Sequence, residues 1–586
     1  MTMGSTDELE VNRLTLKRPT ISFESITFSD QQTISFNDDE IVVFVGPNNA
    51  GKSAALRGLQ NWIAHSQIHP VIKGAILKKT GNHDEFRAYL EKNSQKTGDA
   101  ANVSYGGLGF NIHHSHLQSY PNNMQAVAAF FSGHITTETR ITASNPAGVI
   151  ALYDNPPSHP IHLLMMDSDL EAKISQYFRR AFGKDLFVFR AGGSIFPLYV
   201  GENPKKLSGE DALSKSYVDR VLAVAAPLQS QGDGMRSFAT VLLSVLVVNN
   251  HSIQFLDEPE AFLHPPQARL LDEYIAKERR TESQLFIATH STDILDGLMV
   301  GGPNKIRIIR IQRMGDVNHV KEISKERTAA ISSDTLTRYS RVLDGIFYEH
   351  VIISESDSDC LFYSSLLRTK TIAGETEPDV LFIHASGKHR MGKLAETLKS
   401  LDVPVSVIAD LDILNEESAF KNLFEKLGGQ WDEISSHWRA IKTSVEEVRP
   451  SLTATQVRGL IEVELAKASG VGVFPKQIEK KIGAIFREQS AWDIIKRTGR
   501  SGFRSGPAIT HFDNLVTKCE AKGLWLVPVG ELEGFCRTIS AHHGPAFVEK
   551  VIEERNLESD EELGEARKFV KRIWEAANVG VVRGGA

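Results

Sequence analysis

The stretch from Ile41 to Ser53, IVVFVGPNNAGKS, limits the fold of this chain more than any other. A run of β-formers enters Gly46-Pro47-Asn48-Asn49-Ala50-Gly51-Lys52-Ser53, which fits G-x-x-x-x-G-K-S at every position. A strand that feeds a glycine-bounded loop and then a helix aims successive backbone N–H groups at one point. The helix N-terminus adds its positive dipole end, and together these cradle nucleotide phosphates. Gly46, Asn48, Asn49 and Gly51 form the cradle in this reading. Lys52 is expected to reach the β/γ-phosphates, and the Ser53 hydroxyl to sit on Mg²⁺. The chain is expected to bind ATP or GTP.

A chain of 586 residues is too long for one hydrophobic core, so two or three domains are expected. No apolar run approaches the roughly 20 residues of a membrane span, and no secretory h-region opens the sequence. Cys360, Cys519 and Cys536 are scattered without C-x-x-C pairing, which fits a reducing cytoplasm and excludes a zinc site built on paired cysteines. The net charge of −7 neither announces nor excludes a nucleic-acid partner, because binding needs only a local basic face.

The pattern predicts an ATPase domain over residues 1–340, with an insertion at about 68–216 suited to an arm or a dimerisation element. FESITF and QTISF alternate as half-buried strands do, and KIRIIRIQRMGDVNHVKEI reads as a closing hairpin. A second α/β unit runs over 341–540. Its strands HVIISES, DVLFIHAS and PVSVIADLD alternate with the helices CLFYSSLLRTK and KLAETLKSL, a βαβαβ rhythm that implies a small parallel sheet. Residues 415–520 read as a polar helical insertion, and 541–586 as a helical C-terminal segment.

Ile253 to Glu258, IQFLDE, is a hydrophobic strand ending in two carboxylates. Asp257 at its tip is placed to hold Mg²⁺ through the metal's water shell, and Glu258 to polarise an attacking water. His290 follows the strand LFIAT, a position that suits a sensor of the γ-phosphate. Between them, Gln231-Gly232-Asp233-Gly234-Met235-Arg236 opens a helix whose glycines and N-terminal amides, Gly234 among them, suit the γ-phosphate of a nucleotide held by a second subunit. This order of motifs resembles the ABC-type ATPase heads of the SMC/RecF class over roughly residues 20–325. The wording LDEPEAFLHP at 256–265 resembles the overcoming-lysogenization-defect (OLD) branch of that class. One departure is that Gly232 stands where the usual signature carries serine. The absence of a long heptad region argues against a coiled-coil SMC protein.

Glu355 ends the strand HVIIS, Asp359 follows it, and VSVIAD closes with Asp410-Leu411-Asp412. Alternate residues on a strand point the same way, so both aspartates are expected to address one point. Four carboxylates at the C-terminal edge of one parallel sheet would repel one another without divalent cations, and hard oxygen ligands select Mg²⁺ or Mn²⁺. Glu531 and Glu533, in GELEGF, show the same spacing and would complete a second metal position. Two metals ~4 Å apart clamp the attacking and leaving oxygens of a phosphodiester. The pattern resembles a Toprim domain, with Ser356 where the motif usually has glycine. The OLD resemblance implies a late lysine near the scissile phosphate, for which Lys550, Lys568 and Lys571 are candidates.

An ABC head followed by Toprim is the OLD architecture, also seen in the nuclease subunit of the Gabija anti-phage system. The fold class expected is therefore α/β: an ABC-type P-loop ATPase domain, then a Toprim-like parallel domain with a helical insertion and helical C-terminus. The resemblance implies a cytoplasmic ATP-dependent, Mg²⁺- or Mn²⁺-dependent DNA endonuclease in anti-phage defence. It would dimerise, or form a dimer of dimers, through its ATPase heads, with a further defence protein or nucleic acid as possible partner. Two alternatives stay open: a RecF-type repair ATPase with a degenerate Toprim domain, and an effector that cleaves RNA such as tRNA. Among lesser signals, Lys388-His389-Arg390 with Lys393 forms a basic cluster. Lys496, Arg497, Arg500 and Arg504 form a second one, suited to tracking phosphate near the metal site. His113-His114-Ser115-His116 lacks partner ligands and reads as a polar loop. Trp431, Trp438 and Trp492 read as core or interface.

Overall fold

A computed structural model describes residues 17–99, 102–151, 155–248, 251–280, 282–323, 326–327, 342–373, 377–448, 454–467, 474–487, 491–503, 506–539 and 543–583. The chain divides into two compact units, residues 1–335 and 336–586. Arg504 and His542 lie outside the described residues.

The first unit is built on a six-stranded sheet. Its strands are β3 (Ile41–Val45), β5 (Ser132–Ile135), β6 (Ile253–Asp257), β7 (Gln284–Ala288), β8 (Ile306–Met314) and β9 (Val317–Ile323). They lie in the order β9-β8-β3-β7-β6-β5. All pairs are parallel except the β8–β9 hairpin, where Met314 faces Val317. Every residue of β3 and β7 is buried, as expected of strands covered on both faces. The run IVVFV therefore reads as continuous apolar sequence rather than alternation. A second, antiparallel sheet joins β1 (Ile21–Phe28) to β2 (Thr33–Ser35) and β4 (Ile72–Lys79). Phe23 and Phe28 of β1 pack edge-on against Phe286 and Phe44 of the larger sheet, closing a core that also takes in Phe86, Tyr120 and Phe131.

Much of the span expected as an insertion is woven into this unit. β4 lies against β1, and β5 forms the edge of the large sheet beside β6. The sequence concealed this because β5 is only four residues long and flanked by short helical turns, too short for a periodicity to register. Helix α2 spans Ser168–Phe182. Helix α3 (Asp233–Leu242) starts at Gly232 and passes into a wider π turn at Leu243–Val248.

The second unit has a four-stranded, all-parallel sheet in the order β11-β10-β12-β13, formed by β10 (His350–Ser354), β11 (Val380–His384), β12 (Val405–Ala409) and β13 (Leu524–Leu526). Helices α5 (Asp357–Leu367) and α6 (Lys388–Ser400) follow β10 and β11. The helical insertion includes α7 (Trp431–Val448), α8 (Ala491–Thr498) and α9 (Pro507–Glu520). Trp431, Trp438 and Trp492 are buried there. Helices α10 (Pro545–Glu554) and α11 (Gly564–Arg583) follow, and their apolar faces join a core with Phe362, Tyr363 and Trp525.

Two expectations about strand ends are corrected. β12 stops at Ala409; Asp410 is the cap of a 3₁₀ turn, Leu411–Asn415, that contains Asp412. β13 stops at Leu526, and Glu531 caps another 3₁₀ turn, Leu532–Phe535, that contains Glu533. Neither acid pair alternates along a strand. In the first, the chain bends because the Leu411 amide donates to the Gly530 carbonyl and Leu411 is buried.

Candidate functional site

The phosphate loop joins β3 to α1 (Lys52–His65). Gly46 has φ +140, and a Cβ there would stand 2.0 Å from the Ile311 carbonyl oxygen of β8, so the loop's first turn needs glycine. Asn48 and Asn49 are exposed, Asn49 at φ 60, and Gly51 at φ 99 is the cap of α1. The Lys52 ammonium is buried under the loop and donates to the Gly46 and Pro47 carbonyls at 2.8 and 2.9 Å. The Ser53 hydroxyl donates to Asp257 Oδ1 across 2.7 Å, although β7 lies between β3 and β6. A Mg²⁺ ion held by a hydroxyl and a nearby carboxylate fits this pairing.

At the end of β6 the chain turns sharply. Glu258 takes φ 50, and its amide donates to the Ala288 carbonyl of β7. The guanidinium of Arg140, wholly buried, donates to the Glu258 and Asp257 carbonyls at 2.6 and 2.8 Å and to Thr137 Oγ1. His290 Nδ1 stands 3.5 Å from Glu258 Oε1 and 3.4 Å from Glu260 Oε1. Lys52, Ser53, Asp257, Glu258 and His290 thus come from three neighbouring strand ends. Gly232 lies exposed at the start of α3 and Gly234 is half-buried, so the amide end of that helix opens to the surface. Arg140 has no sequence signal of its own, and Glu260 was visible only as part of LDEPEAFLHP, since the contacts each makes are created by folding.

In the second unit, carboxylate oxygens of Glu355, Asp410 and Asp412 lie within 4.8 Å of one another. Glu531, Glu533 and the imidazole of His543 form a second such group. Glu355, Asp359, Asp410, Glu531, Glu533 and Lys496 line one open cleft of about 360 Å³. Asp359 reaches the cleft from the first turn of α5 but falls outside both close groups. Its Oδ2 accepts from the Ser356 amide while Ser356 Oγ accepts from the Asp359 amide, a reciprocal cap. Ser356, which departs from the usual glycine, is therefore the helix cap.

Lys496, on α8, stands 3.4 Å from Asp410 Oδ2, 3.5 Å from Asp412 Oδ2 and 3.9 Å from Glu531 Oε2. The insertion folds back so that one ammonium meets acids from two strand ends. Lys550, Lys568 and Lys571 are not among the residues lining the cleft.

The electrostatics show how short of positive charge the cleft is. Burial pushes the Asp410 carboxyl well above the ordinary range; Asp359, Asp412 and Glu355 add to the shift and Lys496 opposes it. Burial followed by Asp412 raises Glu355, and burial followed by Glu533 raises Glu531. Burial also raises Asp359 against its bonds to Ser356. Burial alone would lower the Lys496 ammonium's pKa, but Asp410, Asp412, Glu531 and Glu355 outweigh it and the net shift is upward. Asp412 Oδ1 is buried without a hydrogen-bond partner. Clustered hard oxygens, one of them without a partner, and a deficit of positive charge are what a divalent-cation site requires.

The remaining candidates lie elsewhere. His113 ends a strand, Phe110–His113, and its Nδ1 is 2.8 Å from Ser115 Oγ; His114 and His116 lie on the helical turn that follows. Lys388 pairs with Glu416 at 3.5 Å, and Arg500 with Asp513 at 2.7 Å.

Comparison with known proteins places families on both units. Residues 148–296 match the AAA domain family AAA_21, whose description cites the AbiEii toxin of a type IV toxin–antitoxin system. Residues 346–412 match the overcoming lysogenization defect protein-like TOPRIM domain. The Old nuclease of Escherichia phage P2 is 25% identical over 173 residues, which are 28% of this chain and 28% of the phage protein. This chain therefore spans less than a third of that relative in the matched region. Among solved structures, the SMC head domain from Thermotoga maritima aligns at TM-score 0.28 and 10% identity, over 53% of this chain and 100% of its own. A Pyrococcus furiosus Smc head with an extended coiled coil aligns at TM-score 0.29 and 12% identity, over 53% and 98%. Likenesses at that level add nothing to the strand order described above. No helix among the described residues is long and apolar enough to cross a membrane.

Proposed function

Because this chain joins an AAA-type ATPase domain to an OLD-like Toprim domain, the fusion that marks the OLD family, we propose that it is a nucleotide-controlled, divalent-metal-dependent DNA endonuclease. The observation that carries the reading is the convergence of Glu355, Asp410 and Asp412, the first two of which line one open cleft with Glu531 and Glu533. Glu355, Asp410 and Asp412 would hold one Mg²⁺ or Mn²⁺, and Glu531 and Glu533, with Asp359 nearby, a second. Such ions, when bound, supply Lewis-acid stabilisation of the attacking and leaving oxygens of a phosphodiester. Lys496 would turn its ammonium from the carboxylates toward a phosphate oxygen in the cleft. Lys388, Arg390 and Lys393, at the start of α6, would steer the polyanion.

In the ATPase unit, Lys52 would bind the β/γ-phosphates of ATP, with Ser53 and Asp257 around Mg²⁺. Glu258 would orient water, and His290 would sense the γ-phosphate. The exposed start of α3, around Gly234, would face the nucleotide of a second head, which makes a homodimer or dimer of dimers the working assembly. By family likeness the setting would be the cytoplasm and the role anti-phage defence.

The test is nicking of supercoiled plasmid with Mg²⁺ or Mn²⁺, with and without ATP. Glu355→Ala and Asp410→Ala are expected to abolish cleavage, and Lys52→Ala to abolish its response to ATP. Wild-type protein that cleaves neither DNA nor RNA under any of these conditions would remove the nuclease reading. Cleavage of RNA alone would reassign the substrate.

A further inference from the structure

The chain continues past Asp257 and Glu258 to a third carboxylate, Glu260, whose placement gives it work of its own. The left-handed Glu258 turns the backbone, and the Ala261 and Leu263 amides close the turn by donating to the Glu258 and Glu260 carbonyls. The Glu260 side chain is thereby carried under the end of β7, where it is only 9% exposed. Its Oε1 accepts from Thr289 Oγ1 at 2.6 Å and from the His290 amide at 3.1 Å, and stands 3.4 Å from His290 Nδ1. One oxygen thus holds His290 by main chain and ring together. The ring itself is half-exposed. A carboxylate beside Nδ1 keeps a proton on that nitrogen and fixes which face of the imidazole meets a ligand.

A second feature supports a functional rather than a packing role. Behind Glu260, Asp272 on α4 (Pro265–Glu278) is fully buried, and both its oxygens lack hydrogen-bond partners. Burial first, and the charge of Glu260 second, push its carboxyl well above the ordinary range. Glu260 Oε2 is likewise without a hydrogen-bond partner. Placing a second acid in this pocket destabilises the fold, and such a cost points to a task at the site it serves.

We propose that Glu260 is a positioning residue of the ATPase unit, which acts on hydrolysis through His290 and makes no contact with the nucleotide. This role rests on the ATPase reading above. Its test uses the full-length chain with Glu260→Gln, His290→Ala and the double variant. Turnover is measured beside the affinity for a fluorescent ATP analogue, with thermal melts to verify folding. Glutamine keeps the oxygen that accepts from Thr289 and the His290 amide but drops the charge facing Nδ1. Glu260→Gln is expected to lower kcat about tenfold with analogue affinity changed less than about twofold, and to cost nothing further in the His290→Ala background. A purely structural Glu260 would leave kcat unchanged in the glutamine variant. That result, full additivity with His290→Ala, or a parallel loss of affinity would each overturn the proposal. Wild-type protein that neither binds nor hydrolyses ATP would remove the ATPase reading itself, an outcome distinct from an active wild type with additive variants.

Discussion

Lys496 Nζ lies 3.4 Å from Asp410 Oδ2, an ammonium from the helical insertion set against a carboxylate at the end of a parallel strand. The same ammonium reaches Asp412 and Glu531, so one positive charge faces acids that arrive from different segments of the chain. Lys496→Ala is expected to reduce metal-dependent cleavage about a hundredfold, whereas Lys550→Ala, Lys568→Ala and Lys571→Ala stay within a few-fold of wild type. Initial rates of plasmid nicking at saturating Mn²⁺ check this ranking. An equal loss in any of those three would move the role away from Lys496.

The raised carboxyls of the cleft make stability depend on pH in a defined direction. Asp410, Glu355, Asp359 and Glu531 all hold protons more tightly folded than unfolded. Their favourable contribution is full below the unfolded carboxyl value of about 4 and is lost as pH rises through the folded values. Asp410→Asn removes the most strongly raised of them. Without divalent ions it should therefore melt a few degrees above wild type at pH 8, with the gap closing toward pH 4. Added Mg²⁺ or Mn²⁺ should raise the wild-type melting temperature and leave the variant nearly unmoved. Differential scanning fluorimetry across pH, with and without metal, reads both effects.

Arg140 is buried and bonds the carbonyls of Asp257 and Glu258. Arg140→Ala leaves both carbonyls without these partners beneath the turn. Charge-assisted bonds of this kind contribute ~1.5–3 kcal/mol each, so a loss of at least about 2 kcal/mol is expected in urea unfolding of the first unit. ATP turnover should fall further than stability alone explains, because the same bonds set the backbone that carries Glu258.

Gly530 has φ +102, and a Cβ on it would stand 2.0 Å from the Lys496 carbonyl oxygen. Gly530→Ala must strain the turn or displace α8, and with it Lys496. Cleavage is expected to drop about tenfold or more, with a melting-temperature loss of a few degrees. A variant with both properties unchanged would show that α8 is held elsewhere.

Lys52→Ala should abolish binding of a fluorescent ATP analogue, while Ser53→Ala should retain binding and lose its dependence on Mg²⁺. The geometry behind the second expectation is the 2.7 Å bond from Ser53 to Asp257. Titration at fixed nucleotide with varied Mg²⁺ separates the two.

By itself the sequence determined the phosphate loop, the order of the motifs and the βαβαβ rhythm of the second unit. Each is a local pattern of glycine, charge and periodicity that needs no distant partner to be read. Residues 46–53 turn from strand to helix through a glycine-bounded loop written in their own sequence, and HVIIS and VSVIA are strands because β-branched residues dominate them and are almost wholly buried. The acids at 355, 410, 412, 531 and 533 were legible as candidates. The reason they converge was not: the strands end early, and 3₁₀ turns rather than alternation bring the carboxylates round.

Tertiary structure alone decided which residues complete the sites. β5, four residues long, lies beside β6 in the large sheet, although the span holding it read as an insertion. Arg140 reaches the turn after β6 across 117 positions of chain, and Lys496 approaches Asp412 across 84. Such contacts follow from how helices pack over sheet ends; the sequence marked Lys496 only as one of a basic cluster near the metal site, and it carried no signal for Arg140. Local chemistry marked where phosphate and metal would be met, and long-range packing set Lys496, Arg140 and Glu260 beside those places.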